Sequence, residues 1–228
     1  MIPELTDLDI RDGDVVAVDL ETHDPDLKTH GSGAIVGKGK VCGIAVAYRD
    51  EKYYFPIAHL YSGQNLGKNT TWKVLNKKIF QNEKVTKVFH NAMYDVCWIR
   101  AATGMMLKGP VYDTMIAASI IDENRQKYSL DSLAKDYLND NKYKYDLTDK
   151  AKELHGISDP MTNMHKLPYD LVADYAEQDV LLTLRLWNKF EKIIKTPINT
   201  ESKSKKTLEN IFDIETRLFP CLVEMRFL

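Results

Sequence analysis

Residues 15–22 read VVAVDLET, an apolar run closing on two carboxylates. As a buried strand it alternates its side chains between two faces, so Asp19 and Glu21 lie together on one of them. At that spacing they repel, and the fold must either neutralise them or leave one protonated. Whatever surrounds this strand has to cope with concentrated negative charge. The chain has no cationic excess to spare: 31 Lys and Arg against 33 Asp and Glu give a formal net charge of −2. That balance argues against a protein that coats duplex nucleic acid through bulk positive charge, and leaves room for a local groove that grips one strand.

The 228 residues suffice for one large domain, or one domain plus a fragment. A share of 44% hydrophobic and 28% charged residues is that of an ordinary soluble globular chain. Cys42, Cys97 and Cys221 are scattered, with neither metal-ligand spacing nor the even count of a disulfide framework, which suits a reducing, cytoplasmic environment. The first residues lack a basic stretch followed by an apolar one, and no apolar run is long enough to span a membrane.

Patterning predicts strands over Val15–Leu20, Val41–Tyr48, Lys52–Ile57, Lys87–His90 and Val111–Tyr112, with Arg49-Asp50-Glu51 as a turn and Asp24–Lys40 as a long polar loop. Helices are expected from Asn69 or Thr70 to Phe80, from an Asn91 cap to a stop at Gly104, over Asp113–Ile121, over Ser129–Leu138, and from Pro168 as first residue through Ile194. Residues 139–167 read as irregular, with one helical turn near Leu147–His155. Residues 195–206, KTPINTESKSKK, have the composition of a linker between a domain over 1–194 and a last helical segment over 207–228. That segment stops on apolar residues, so the expectation is a piece of a longer chain. Strands first, then helices mixed with strands, fit a three-layer α/β fold around a central mixed sheet.

Two further segments carry acids. In FHNAMYD, residues 89–95, a strand ends and a helix starts, with Asp95 about one turn into it; sheet ends of this kind are where α/β proteins bind ligands. In YAEQD, residues 175–179, Tyr175 and Asp179 share the apolar helix face of Leu171, Leu182 and Leu186. No Lys or Arg stands at a helical spacing that would neutralise Asp179. Convergence of the three segments on metal ions explains all of them at once. All-oxygen carboxylate ligands suit Mg²⁺ or Mn²⁺, and two such ions about 3.5–4 Å apart form a site for in-line displacement at phosphorus.

DLET, HNAMYD and YAEQD, in that order, resemble the three exonuclease motifs of the DEDD superfamily of 3′→5′ exonucleases, most closely the proofreading domain of family-A DNA polymerases, over roughly residues 13–192. The resemblance implies an RNase H-like fold and two bound divalent ions. Asp19 would bridge both, Glu21 and Asp179 would complete one site, and Asp95 would hold the other ion through water. Tyr175 would orient the attacking water. Asn91 and Thr22 match positions near the terminal nucleotide, and Leu20 would touch the last base through its backbone or side chain. One branch of the superfamily has His five residues before the last Asp, where this chain has Asp174; the other has Tyr four before it, and Tyr175 is there. A phenol, with its usual pKa of about 10, is a poor base near neutrality, so its implied role is to hold the water by a hydrogen bond while the metal acidifies it. YDTMIAASIID and YSLDSLAKDYL resemble the helices between the second and third motifs, and IETRLFPCLVEMRFL the helix that opens the polymerase portion. The implied activity is hydrolysis of the terminal phosphodiester at a single-stranded or frayed DNA 3′ end, releasing nucleoside monophosphates, in a monomer whose longer chain carries a polymerase portion.

Two other functions stand beside this one: a ribonuclease D-like enzyme trimming RNA, and an inactive exonuclease-fold scaffold. Singly, each acid also has a plain explanation: an exposed strand end for Asp19 and Glu21, a solvated helix start for Asp95, a pairing with Arg185 or Arg100 for Asp179. All of them at once, in family order, would be three coincidences. Tyr175 alone could be a core tyrosine. His59, His90 and His155 read as structural, and Glu177 and Asp174 as solvent-facing. His23 could reach the site without being assigned to it. GSGAIVGKGK fails the phosphate-loop pattern, since Ser32 stands where Gly is needed and Gly39 follows Lys38, and reads as a flexible loop near the site. NDNKYKYDLTDKAK reads as solvated surface more than as a strand-binding stretch.

Overall fold

The computed structural model describes residues 2–60, 65–140, 145–198 and 206–228. Five strands, β1 (Val15–His23), β2 (Lys40–Tyr48), β3 (Glu51–Pro56), β4 (Thr86–Phe89) and β5 (Val111–Asp113), form one sheet in the order β3-β2-β1-β4-β5. The β1–β2 and β2–β3 pairs are antiparallel, and the β1–β4 and β4–β5 pairs parallel, so the sheet is mixed with β1 at its centre. The helices are α1 (Leu27–His30), α2 (Gly33–Val36), α3 (Lys68–Leu75), α4 (Ala92–Thr103), α5 (Thr114–Ile121), α6 (Leu130–Leu133), α7 (Tyr145–His155), α8 (Pro160–Asn163), α9 (Tyr169–Lys195) and α10 (Glu209–Arg226). Among the described residues no helix is long and apolar enough to cross a membrane.

The alternation of β1 sorts the layers. Val16, Val18 and Leu20 face one side, packing with Trp72 and Leu75 of α3 and with Val96 and Ile99 of α4. Ala17 faces the other side, where Ala45, Ala47 and Tyr54 meet Val172, Ala176, Val180 and Leu184 of α9. Further along α9, Leu186, Trp187, Phe190 and Ile194 close over Val88, α5 and Phe212 of α10. Asp19 and Glu21 follow Ala17 in the alternation and therefore point to the α9 side. The small side chains of Ala17, Ala45, Ala47 and Ala176 leave room for the 27-residue α9 to lie close over the sheet.

Several expectations need correction. The stretch from Asp24 is not one loop: it holds the one-turn helices α1 and α2 before β2 starts at Lys40. Glu51 belongs to β3, because Arg49 takes the left-handed conformation (φ 54°) and closes the turn one residue sooner. Gly67, not Asn69 or Thr70, precedes α3, which runs on into a π turn over Asn76–Phe80; a second π turn, Ala134–Leu138, extends α6. The segment expected to be irregular contains the 11-residue α7. Pro168 sits just before α9 as its cap residue, in an extended conformation, rather than inside it. Part of the expected linker, residues 199–205, and part of the Lys/Tyr-rich stretch, residues 141–144, lie outside the described residues.

A bulge tightens β2 against β1: Glu21 faces Gly43 and Thr22 faces Val41, with Cys42 as the extra residue. Tyr54 lies directly over Gly43, where a Cβ would overlap its ring and hydroxyl. That hydroxyl bonds His59 Nε2 at 2.7 Å, and His59 Nδ1 lies 3.1 Å from the Leu167 carbonyl, tying β3 to the entry of α9. We expect Gly43→Ala to cost about 1–3 kcal/mol in urea unfolding, the range for forcing an extra methyl into a packed interior. An unchanged midpoint would show that Tyr54 and its link to α9 yield freely.

Candidate active site

At the carboxyl ends of the parallel strands lies a cavity of about 490 Å³, lined by Asp19, Leu20, Glu21, Thr22, Asn91, Asp95, Tyr175 and Asp179 among others. Every residue expected to touch metal or substrate lines this one cavity. β1 supplies the first four, the β4–α4 junction supplies Asn91 and Asp95, and α9 supplies Tyr175 and Asp179 one turn apart. Glu21, Asp95 and Asp179 are 7%, 3% and 8% exposed, too buried for solvated surface acids.

Burial and mutual repulsion make these carboxyls hard to ionise. Glu21 lies well above the usual carboxylate range, through burial first and the Asp19 charge second. Asp95 is raised by burial and by Asp19, although it accepts the Leu20 N–H at 3.0 Å. Asp179 is raised by burial, then by Asp19, Glu21 and Asp131. Burial pushes Asp19 up to about 6. Burial, with Glu21 and Asp19 adding to it, also raises the Tyr175 hydroxyl, which stays a phenol at any physiological pH.

Among the described residues no Lys or Arg lines the cavity. The plain pairings considered for Asp179 are not formed: Arg185 bonds Asp140 at 3.2 Å and Arg100 bonds Glu224. The donor set is all oxygen, strongly acidic and held in one hollow, which is the chemistry of a hard divalent cation site. Among the described residues, however, no three His, Cys, Asp or Glu side chains are already closed into a cage that could hold a metal ion. The four carboxyls share a cavity without having drawn together, as their repulsion dictates.

Neighbouring contacts hold this arrangement. Thr22 Oγ1 lies 2.6 Å from Tyr94 Oη, which donates to Asp24 Oδ2 at 3.2 Å, and Asp24 accepts the Gly33 N–H, so the α1–α2 segment is fastened beside the site. Asn91 stands at the start of α4 in the left-handed conformation (φ 66°), but its side chain does not cap the helix. Asp113, which sequence reasoning missed, does that work: its buried carboxylate accepts the N–H groups of Asn91, Ala92 and Met115 at 3.0, 2.8 and 2.8 Å. One side chain thus caps both α4 and α5. The signal was present as Asp before the helical run TMIAASII, a cap pattern, but its reach back to α4 is tertiary.

The histidines behave as structural groups. His90 Nδ1 lies 2.8 Å from Thr114 Oγ1, and burial lowers its pKa to about 4. His23 packs on His165, ring centroids 3.8 Å apart, and does not line the cavity. Glu177 corrects the sequence reading: it is half-buried and pairs with Lys52 at 3.6 Å rather than facing solvent.

Two outcomes follow from this geometry. Asp113→Ala strands three backbone N–H groups and should cost about 2 kcal/mol or more in unfolding free energy, with Asp113→Asn recovering part of it; equal stability of the Ala variant would remove Asp113 from the support of the site. The raised acids hold protons in the folded chain at pH values where the unfolded chain has released them. Cation-free stability should therefore fall as pH rises from about 4 through about 6, the Asp19 value. Added divalent cation should raise Tm more at a pH of about 8 than at about 5; the same rise at both would contradict the clustering.

Comparison with known proteins gives the family of the chain. The chain is 27% identical over 192 residues to DNA polymerase I of Pseudomonas aeruginosa, covering 81% of this chain and 19% of that protein. It is 30% identical over 219 residues to a DNA-directed DNA polymerase of Pseudomonas phage M6, covering 92% and 30%. The chain thus spans between a fifth and a third of the length of these curated relatives. Among solved structures the fold matches Brucella melitensis NrnC bound to pGG (TM-score 0.65, 20% identity, 96% of this chain and 87% of that one) and Trypanosoma brucei RNase D in complex with RNA U12 (TM-score 0.60, 16% identity, 94% and 63%). A family model described as 3′-5′ exonuclease matches residues 4–195, most of the sequence, and on that match the chain belongs to the 3′-5′ exonuclease family of the DNA polymerase A type.

Proposed function

We propose that this domain removes nucleotides one at a time from the 3′ end of single-stranded or frayed DNA, as the proofreading part of a longer family-A DNA polymerase working as a monomer in the cytoplasm. The observation that carries the reading is the gathering of Asp19, Glu21, Asp95, Tyr175 and Asp179 around one cavity that also holds Leu20, Thr22 and Asn91, within a chain of the exonuclease family. The polymerase relatives support DNA as substrate. An apolar stripe on α10, formed by exposed Ile211, Ile214, Leu218, Leu222 and Met225, is suited to packing against further protein of such a chain.

Two divalent ions, Mg²⁺ or Mn²⁺, would be held by Asp19, Glu21, Asp95 and Asp179 and would supply Lewis acidity and charge neutralisation at the scissile phosphate; a solved relative by fold, NrnC, is described with bound Mg²⁺. The protein's own groups do the positioning. Tyr175 keeps its proton and holds the attacking water by a hydrogen bond, with Glu21 as the second contact that aligns it. Leu20, its N–H held by Asp95, would touch the last base through its backbone or side chain. Thr22, fixed by Tyr94, and Asn91, exposed at the cavity rim, flank the terminal nucleotide. Water cleaves the phosphodiester and the last residue leaves as a nucleoside monophosphate. An unpaired end costs less to bring into the pocket, so mismatched ends are preferred.

A second reading, RNA trimming, has one observation in its favour: the fold likeness extends to a ribonuclease D crystallised with RNA. Digestion of 5′-labelled single-stranded DNA and RNA with Mg²⁺ or Mn²⁺ separates the two. We expect shortening from the 3′ end with DNA faster, and loss of at least about 10³-fold in Asp19→Ala. Faster RNA shortening would favour the second reading, and wild type no more active than Asp19→Ala would favour an inactive scaffold. Tyr175→Phe should slow hydrolysis by about 10²-fold while Mn²⁺ binding persists; loss of Mn²⁺ binding would remove Tyr175 from its assigned role.

A further inference from the structure

We propose that the groove between α3 and the C-terminal end of α4 is a second nucleic-acid contact, which grips the sugar–phosphate backbone of nucleotides remote from the reacting end. The inference rests on the reading that the substrate is a nucleic acid. The groove is a separate hollow of about 610 Å³, and none of its lining residues belongs to the cavity that holds the acids. Its wall is one face of α3 and the π turn after it, where Lys68, Trp72, Lys73, Asn76 and Lys77 recur at intervals of about one helical turn.

Two features point to a polyanion. Lys68, Lys73 and Lys77 are exposed and line the hollow, and no acid lines it, in a chain whose formal net charge is −2. Two lysines just beyond it are already paired, Lys84 with Asp12 at 2.6 Å and Lys108 with Glu83 at 3.5 Å, whereas Lys68, Lys73 and Lys77 form no ion pair among the described residues. At the floor, Trp72 is 6% exposed, and its indole N–H is shielded from solvent without an acceptor. Trp72 therefore closes the floor of the groove, and contact with a ligand falls to the three lysines.

The same features define how a strand would bind. Trp72 is too buried to serve as a stacking platform, so the grip is electrostatic and insensitive to sequence. Thr103, at the far rim, is eight residues along α4 from Asp95, about 12 Å of helix. That separation excludes the terminal nucleotide and assigns the groove to a more distant part of the strand or to its duplex stem.

The test uses the purified chain and a triple variant, Lys68→Ala/Lys73→Ala/Lys77→Ala, all exposed positions whose folding is checked by circular dichroism. Binding of a fluorescein-labelled single strand of about 20 nucleotides is read by anisotropy across a salt series with EDTA, and hydrolysis of a dinucleotide with Mg²⁺ is read separately. We expect affinity for the long strand to fall about tenfold and the slope of log affinity against log salt to drop by about 2, with dinucleotide hydrolysis within about twofold of wild type. An unchanged slope would overturn the proposal and leave the groove to an acidic protein partner. An equal loss in a control triple, Lys135→Ala/Lys192→Ala/Lys206→Ala, would overturn it in favour of bulk charge. If wild type cleaved neither substrate, the exonuclease reading would fail while the binding arm still judged the groove.

Discussion

Four carboxyl groups held in one cavity repel one another, and the architecture around them is arranged to withstand that repulsion. Asp19 and Glu21 sit on the central strand, paired along their length by β2, while β4 pairs the same strand just before them at Val15–Ala17, so the backbone that carries them is held. Asp179 is held over them by a helix whose own face is anchored through Val172, Ala176, Val180 and Leu184. Asp95 is fixed by the Leu20 N–H and by a helix start that Asp113 clamps. Removing any one support would let electrostatics push the acids outward toward solvent, where a carboxylate is cheaper to ionise.

The segments that proved legible are those where a local rule and the tertiary environment agree. The alternation in β1, the stop at Gly104 in the left-handed conformation, and the Ser129 cap, which accepts the Ser132 N–H, were all readable from neighbouring residues. The cavity was legible because its three segments carry their acids at positions that local patterning already places inside. What escaped was set by contacts across the chain. The polar run after Asp24 becomes helical because Asp24 accepts the Gly33 N–H and Tyr94 reaches it from α4. Glu177 turns from solvent because Lys52, on β3, lies beside it. Lys87, unremarkable in a strand pattern, is wholly buried with its ammonium on the carbonyls of Asn82, Val85 and Lys108. Most of these partners are distant in sequence or are backbone groups, so side-chain periodicity carries no trace of them.

A proteinaceous phosphate site usually draws on a helix N-terminus, where free backbone N–H groups face the ligand. Here α4 starts at the cavity, yet that resource is closed: Asp113 takes the N–H groups of Asn91 and Ala92. Nor, among the described residues, does a lysine or arginine line the hollow. A phosphodiester entering it would meet acids, neutral hydroxyls and a phenol. Among the described residues that line the hollow nothing offsets the four acids; that is the charge a bound cation would supply. On the proposed reading, lysines placed in a separate hollow would hold the rest of a strand without competing with the acids for the scissile phosphate.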